Sequence, residues 1–410
     1  GATQNVTVAQ GSAGDRSYTA NWTDVWGITG GADGTETNPY VITTTAGLDL
    51  LSIEVKAGDN FSEKFFELGD DIAYSTEGLG PDEGNFTSIG GYFVINDTSG
   101  DTDFSGTFDG KNHTISGLRI IKPQTNQNVN KNVGLFGRAI NATVKNVIIA
   151  NAIFKGYSYV GSIAGHNTGS TVQNCLVVGT SISYKAKAGG AILGSKNGGT
   201  LTTNHYRDCT VNGKSTNVGV GGSGTTSSDQ DGARSVHTLT LGENVTATGE
   251  SVTYQNVTYY AANTTVTLTY TGTVPEGTTA VYWVNGTVIE GNSFTMPAAD
   301  ATVNGSTSTV YTVTYDLAGG ALPVGQANRA TYFEAMADFT LVNPIRTGYI
   351  FAGWTGTGLD GATQTVTVAQ GSTGNRSYTA NWTDVWGMAD GANGTRAHPY
   401  KISSTDGLDL

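Results

Sequence analysis

A short phrase bounded by glycine recurs through the middle of the chain, and it limits the fold more than any other feature. Val133-Gly-Leu-Phe-Gly137 returns as Val160-Gly-Ser-Ile-Ala-Gly165, as Gly189-Gly-Ala-Ile-Leu-Gly194 and, degraded, as Val218-Gly-Val-Gly-Gly222. The closing glycines stand 28, 29 and 28 residues apart. Between them lie Thr143-Val-Lys-Asn-Val147, Thr171-Val-Gln-Asn-Cys175 and Tyr206-Arg-Asp-Cys209. Each period offers two or three short β runs with glycine corners and no helical stretch, which is too little for a βαβ unit. A parallel β-helix fits, one coil stacking on the next. On that reading Val147, Cys175 and Cys209 form one inward ladder, and buried thiols are favoured there over a disulfide.

A second repeat is much longer. Residues 1–50 and 361–410 match at an offset of 360 without a gap, and 36 of the 50 pairs are identical. Repeats take precedence in any reading, and a period of this length is a whole multidomain unit being copied. Residue 1 then falls inside one module and Leu410 inside the capping helix of the next. Both ends are expected to be ordered only beside a neighbouring unit.

The order along the chain follows from these two periods. Residues 1–27 are the C-terminal part of one module. Residues 28–235 hold a Gly-rich joint, a short strand at Val41-Ile42, a helix, the coils and a Gly/Ser/Thr linker at 223–235. The helix is expected from a Thr45 cap to about Lys56, with Leu48, Leu51 and Val55 on one face and Gly58 as its stop. It closes the open end of the first coil. Residues 236–308 read as a small antiparallel module with strands Thr238–Leu241, Val252–Tyr260, Thr265–Tyr270, Val281–Val284 and Ser293–Met296. Residues 309–387 form a third module, and 388–410 begin the next coil region.

Composition narrows the function class. The 410 residues include 58 Gly, carry a net charge of −13 and have a pI near 4.7. Such acidity argues against nucleic acid, which needs clustered Lys and Arg, and against anionic membrane surfaces. With 19 Tyr, 13 Phe and 6 Trp the chain reads as folded rather than disordered. No stretch approaches the length of a membrane span.

Three stretches carry family resemblances. Phe104-Ser-Gly-Thr-Phe-Asp-Gly-Lys-Asn-His-Thr-Ile-Ser-Gly-Leu118, followed by Val133-Gly-Leu-Phe-Gly137, resembles the GLUG-motif repeats of bacterial surface proteins. Phe66-Glu-Leu-Gly-Asp-Asp-Ile72 fits the same family, which over 40–222 implies a right-handed β-helix of the kind found in large adhesins and beside surface peptidases. Asn343-Pro-Ile-Arg-Thr-Gly-Tyr-Ile-Phe-Ala-Gly-Trp354 with Tyr378-Thr-Ala-Asn-Trp382 resembles the Listeria–Bacteroides repeat, also called the InlB B-repeat, which implies a β-grasp-like fold. Phe294-Thr-Met-Pro-Ala-Ala-Asp300 resembles the closing motif of bacterial surface-repeat modules. The expected fold class is therefore all-β: a right-handed parallel β-helix with a capping helix, then a β-sandwich-like and a β-grasp-like module.

The search for chemistry assigns no catalytic, cofactor-binding or metal-ligating set. There is no HExxH, and the five histidines at 113, 166, 205, 237 and 398 are dispersed. His113 is read as a turn or core hydrogen-bonding residue. Asp101, Asp103 and Asp109 are the best carboxylate cluster. A solvated turn is favoured there over a calcium site, and calcium over catalysis. Trp354 and Trp382 are read as core rather than as a sugar platform. Trp22 and Trp26, with counterparts Trp382 and Trp386, sit where one module meets the next, and Trp26 and Trp386 are read as braces of that joint. No Lys lies between Lys214 and Lys401, so the modules at 236–387 have no internal Lys–Asn cross-link. The expectation is a non-enzymatic stalk and adhesive segment of a bacterial cell-surface protein. Its partners are neighbouring units and a host or cell-surface protein or glycan. A self-assembling filament or sheath subunit is the first alternative, a β-helix carbohydrate-active enzyme the second.

Overall fold

The computed structural model describes residues 7–21, 23–95, 98–126, 128–215, 218–221, 232–402 and 404–408. Trp22, Gly222 and most of the 223–235 linker lie outside them. The fold is mainly β, and no helix among the described residues is long and apolar enough to cross a membrane. The chain divides into two compact units. The first is Gly1–Thr238 with Glu250–Asn263, and the second is Leu239–Gly249 with Thr264–Leu410. The hairpin segment 250–263, placed by sequence in the 236–308 module, thus belongs to the first unit.

In the first unit the chain visits five sheets in turn, and in each the strands of successive passes pair in parallel. The first sheet runs through Tyr40–Ile42, Phe65–Leu68, Thr107–Asp109, Thr143–Lys145, Thr171–Gln173 and Thr200–Thr202. The register Thr143↔Thr171↔Thr200 reproduces the period of the glycine phrase. Earlier passes are longer because they also carry the antiparallel hairpin Gly91–Ile95/Thr98–Thr102 and the 122–130 segment.

Alternation along each short strand sends every second side chain inward. The inward positions stack as ladders: Phe66, Phe108, Val144, Val172 and Leu201 in one sheet, and Ile72, Ile115, Ile149, Val177 and Tyr206 in the next. All are buried except half-buried Leu201. Corners fall where Asn, Asp or Thr adopts positive φ, as at Asn146, Asn174 and Thr203. Asn tolerates this region better than most residues because its short amide bonds locally. The corner side chains bond along the stack, Asn146 to Asp109 at 2.8 Å and Asn174 to Asn146 at 3.4 Å.

The glycine phrase has a packing cause. A Cβ on Gly134, Gly161, Gly165 or Gly194 would lie under 3.0 Å from the backbone of a neighbouring pass. These glycines therefore form a seam where main chains touch, and no side chain fits there.

The helix α1 spans Thr45–Ala57, with Leu48, Leu51 and Val55 fully buried and Gly58 in the left-handed region at its end. Its cap is Thr44, not Thr45; the Thr44 hydroxyl accepts the Gly47 N–H at 3.3 Å. Thr45 is the first helical residue, because the cap must be the last extended one.

The expected strand Val252–Tyr260 is instead a hairpin, Ser251–Tyr254 against Val257–Ala261. Gln255 and Asn256 both have positive φ, which is the turn a two-residue hairpin needs. This hairpin pairs with Ala233–Leu241 and covers outward positions of the second sheet. Ile148 and Leu176 are buried there with Val236 and Ala261, and Tyr254 and Tyr259 pack alongside. His205, at the same outward position one pass further on, bonds Glu250 at 3.1 Å. Burial holds the His205 imidazole below its usual value despite the opposing pull of Glu250.

The second unit contains the antiparallel pairing of Thr278–Val284 with Ala301–Thr309 and a three-stranded sheet of Val245–Thr248, Thr265–Tyr270 and Ser293–Thr295. A mixed sheet follows in the order Thr331–Tyr332, Tyr311–Asp316, Arg376–Asp384, Tyr349–Gly356. Trp354, on the last of these strands, is fully buried, and its indole donates to Asn343 Oδ1 at 3.0 Å.

Candidate functional site: the repeated joint

The 360-residue repeat places one sequence in two settings. In both copies an aspartate organises the joint. The Asp24 carboxylate accepts the N–H groups of Trp26 at 3.1 Å, Ile28 at 3.0 Å and Thr29 at 2.8 Å, and the Thr29 hydroxyl at 2.6 Å. Asp384 does the same for Trp386 at 3.1 Å, Met388 at 3.0 Å and Ala389 at 2.7 Å. The Thr29 hydroxyl, followed by its N–H, holds Asp24 well below the usual carboxylate range. Asp384 is lowered too, chiefly by the Ala389 N–H. Gly27 and Gly387 both turn in the left-handed region, at φ 74° and 71°.

The chain then closes on itself. Val41 N–H donates to Trp26 O at 3.0 Å, and Lys401 N–H to Trp386 O at 2.9 Å. The ring pairs match as well: Trp26–Tyr40 at 5.3 Å and 36°, Trp386–Tyr400 at 5.0 Å and 36°. The joint is thus set by residues inside it, since two different surroundings leave it unchanged.

Its apolar face differs between the copies. Trp26 is 7% exposed; its indole donates to Gly47 O at 2.8 Å, and its ring meets Phe61 and Phe66 edge-on. Ile42 and Leu48 are fully buried. The counterparts Ile402 and Leu408 are 49% and 72% exposed, and Tyr400 is exposed. The other flank reverses the pattern. Tyr378 is buried in the strand Arg376–Asp384, between Tyr311–Asp316 and Tyr349–Gly356. Its counterpart Tyr18 is exposed and in no strand. On this flank Trp382, Trp386 and Met388 line a groove of about 980 Å³ with Tyr349, whose ring lies 3.7 Å from the Arg346 guanidinium.

The residues singled out for chemistry are occupied otherwise. Arg138 binds Asp101 at 2.9 Å and Asp103 at 2.5 Å, and Lys131 binds Asp101 at 3.3 Å. A carboxylate pair neutralised this way has little left for a cation. Asp109 is not in a solvated turn but ends the strand Thr107–Asp109 and is buried: burial works to raise its pKa, but Asn146, the Lys111 N–H and Lys145 hold it below the usual value. His113 Nδ1 is 3.3 Å from Asp71, whose carboxylate also accepts the Thr114 N–H at 2.8 Å. Trp382 is only half-buried, its indole on Leu317 O at 3.1 Å.

The single cysteine ladder does not form. Leu176 pairs with His205 and Ser181 with Thr210, so Asn204 stands over Cys175 while Cys209 stands over Thr180, a corner further on. Asn204 is fully buried; its amide accepts the Cys175 N–H at 3.1 Å and donates to Val172 O at 2.8 Å. Both cysteines are free and buried, and burial pushes each thiol up to about 12.

No family model matches the chain. Halomucin from Haloquadratum walsbyi is 28% identical over 162 residues, which is 39% of this chain and 2% of that protein. Among solved structures, a "putative immunoglobulin A1 protease" from Bacteroides ovatus shares 15% identity at a TM-score of 0.26, covering 44% of this chain and 58% of that one. The chain therefore spans a small fraction of the length of its curated relative and little more than half of the structural one.

Proposed function

We propose that this chain is a non-enzymatic repeating segment of a large extracellular, cell-surface protein. In this reading each 360-residue unit holds a right-handed parallel β-helix of GLUG type capped by α1. A sandwich-like module and a β-grasp-like module of Listeria–Bacteroides type follow. The units act as a stalk and as a multivalent surface on which weak contacts add through avidity. Their partners are neighbouring units and a host or cell-surface protein or glycan. The observation that carries the reading is the joint. One self-contained structure has a module on one flank in one copy and a coil stack on the other flank in the other copy, as a link between successive units requires. The partial likeness to halomucin supports an extracellular place.

A second reading, an assembling filament or sheath, draws on the apolar face at Tyr400, Ile402 and Leu408. Negative-stain microscopy of the native protein tests both. Isolated flexible strings are expected, and ordered lateral or helical packing overturns the stalk in favour of the filament.

A further inference from the structure

Several cations in the first unit are matched to an acid. Lys111 pairs with Glu67, Lys131 with Asp101, Lys145 with Asp109, Lys155 with Asp82 and Arg138 with two aspartates. Lys56 and Lys122 are among those with no such pair. The side chain of Lys56, in the last turn of α1, has no hydrogen bond or ion pair among the described residues. Lys122 donates to the Lys131 carbonyl at 3.1 Å and faces two further cations, Lys56 and Lys131. The carboxylate acting on it, Asp101, is already held by Arg138 and Lys131.

Both lysines line one groove of about 590 Å³, between α1 and the 84–87 and 120–122 segments. Three of the groove's other polar side chains are engaged. Asp49 accepts the Tyr74 hydroxyl at 2.8 Å, and Ser52 donates to Thr87 O at 2.7 Å. The Asn85 amide donates to Ser75 O and Gly117 O and accepts the Arg119 N–H. The two ammonium groups are therefore the cationic donors open to a ligand, beside the Thr87 hydroxyl. Ile53, 60% exposed, and the edge of Phe86 add an apolar wall.

We propose that this groove binds the carboxylate of an acidic sugar residue, with Lys56 and Lys122 as its two cationic contacts. The volume suits one or two sugar rings. The apolar wall suits the hydrophobic face of a ring. The net charge of −13 disfavours a long polyanion, which the rest of the surface repels. Burial lowers Lys56 to about 8, and burial followed by the nearby Lys56 lowers Lys122 to about 8, against the pull of Asp101. An anion restores the charged form of both amines. Binding therefore takes up protons near pH 8, and affinity falls as pH rises above it. The site is independent of how units are joined.

The test is titration of the full chain with glucuronate, with glucose and with inorganic phosphate, followed by calorimetry in buffers of differing ionisation enthalpy. Glucuronate is expected to bind and glucose not to. Lys56→Gln and Lys122→Gln should each weaken binding on the order of tenfold or more, with proton uptake at pH 8. Lys155→Gln, outside the groove's lining, should leave affinity unchanged. Should a Gln variant fail to fold, the pH profile and proton uptake of the wild type still decide. No glucuronate binding, or binding insensitive to pH between 7 and 9, overturns the proposal. Equal binding of phosphate reduces the site to a bare oxyanion site and overturns the sugar assignment.

Discussion

Trp26 and Trp386 are the same residue in two environments, and replacing each by alanine separates what the joint does alone from what the coil stack adds. Trp26→Ala removes a buried indole, its edge-on contacts with Phe61 and Phe66, and the donor to Gly47 O. Deletions of this kind cost about 3–5 kcal/mol. Trp386 is half-buried and meets Tyr400 and the groove lining. Partial burial of such a ring is worth about 1 kcal/mol. Hydrogen exchange read on peptides covering 40–57 and 384–402 gives both opening free energies in one sample. The gap of a few kcal/mol corresponds to roughly a hundredfold greater loss of protection at the first copy. Trp26→Phe should recover most of the packing and leave a deficit of about 1 kcal/mol from the lost indole–Gly47 hydrogen bond. Equal losses at the two copies, or a larger one at Trp386→Ala, would refute the view that the coil stack buries this face.

Three further outcomes follow. Gly161→Ala should destabilise the first unit by about 1–3 kcal/mol, since backbone has to move, while Gly30→Ala, with open space around it, should change denaturant midpoints little. Cys175 and Cys209 should resist alkylation at pH 8 until the chain is unfolded, because thiols raised to about 12 carry almost no thiolate there. The Asp24 and Asp384 carboxyls are lowered in the folded state, so what they add is present above the unfolded value of 3.8 and is lost as pH falls through the folded value. Exchange within both joints should therefore rise below about pH 4, and Asp24→Asn should reduce that pH dependence at the first joint alone, leaving the part that Asp33 contributes through Thr35.

The features legible in the sequence were those fixed by neighbours along the chain. The helix 45–57 followed from the spacing of Leu48, Leu51 and Val55, and the strand Thr265–Tyr270 from alternation between turns. The parallel passes followed from the glycine phrase, whose cause is the seam of touching backbones. Cys209 was misplaced because spacing counts residues and not corners. The Asn204 amide satisfies the Cys175 N–H, and that fixes the register one corner away from the expected one. The docked hairpin had a signal that went unread. Ile148-Ile149 and Leu176-Val177 are apolar on both faces of their strands, so something had to cover the outside. Lys56 and Lys122 could not be joined from sequence at all, because the groove they share exists only once α1 lies beside the second pass.

If the protein is built of near-identical units as proposed, the self-contained joint also bears on how it avoids misfolding. Repeats that resemble one another so closely invite swapped pairings, in which a strand of one unit takes the place of its twin in another. Residues 24–41 close over fewer than twenty positions, through contacts repeated in both copies. Short closures form early and without a choice of distant partners. On the proposed reading as successive units, each joint emerging from synthesis would act as a punctuation mark, fixing where one unit ends and the next begins before the long parallel pairings are made.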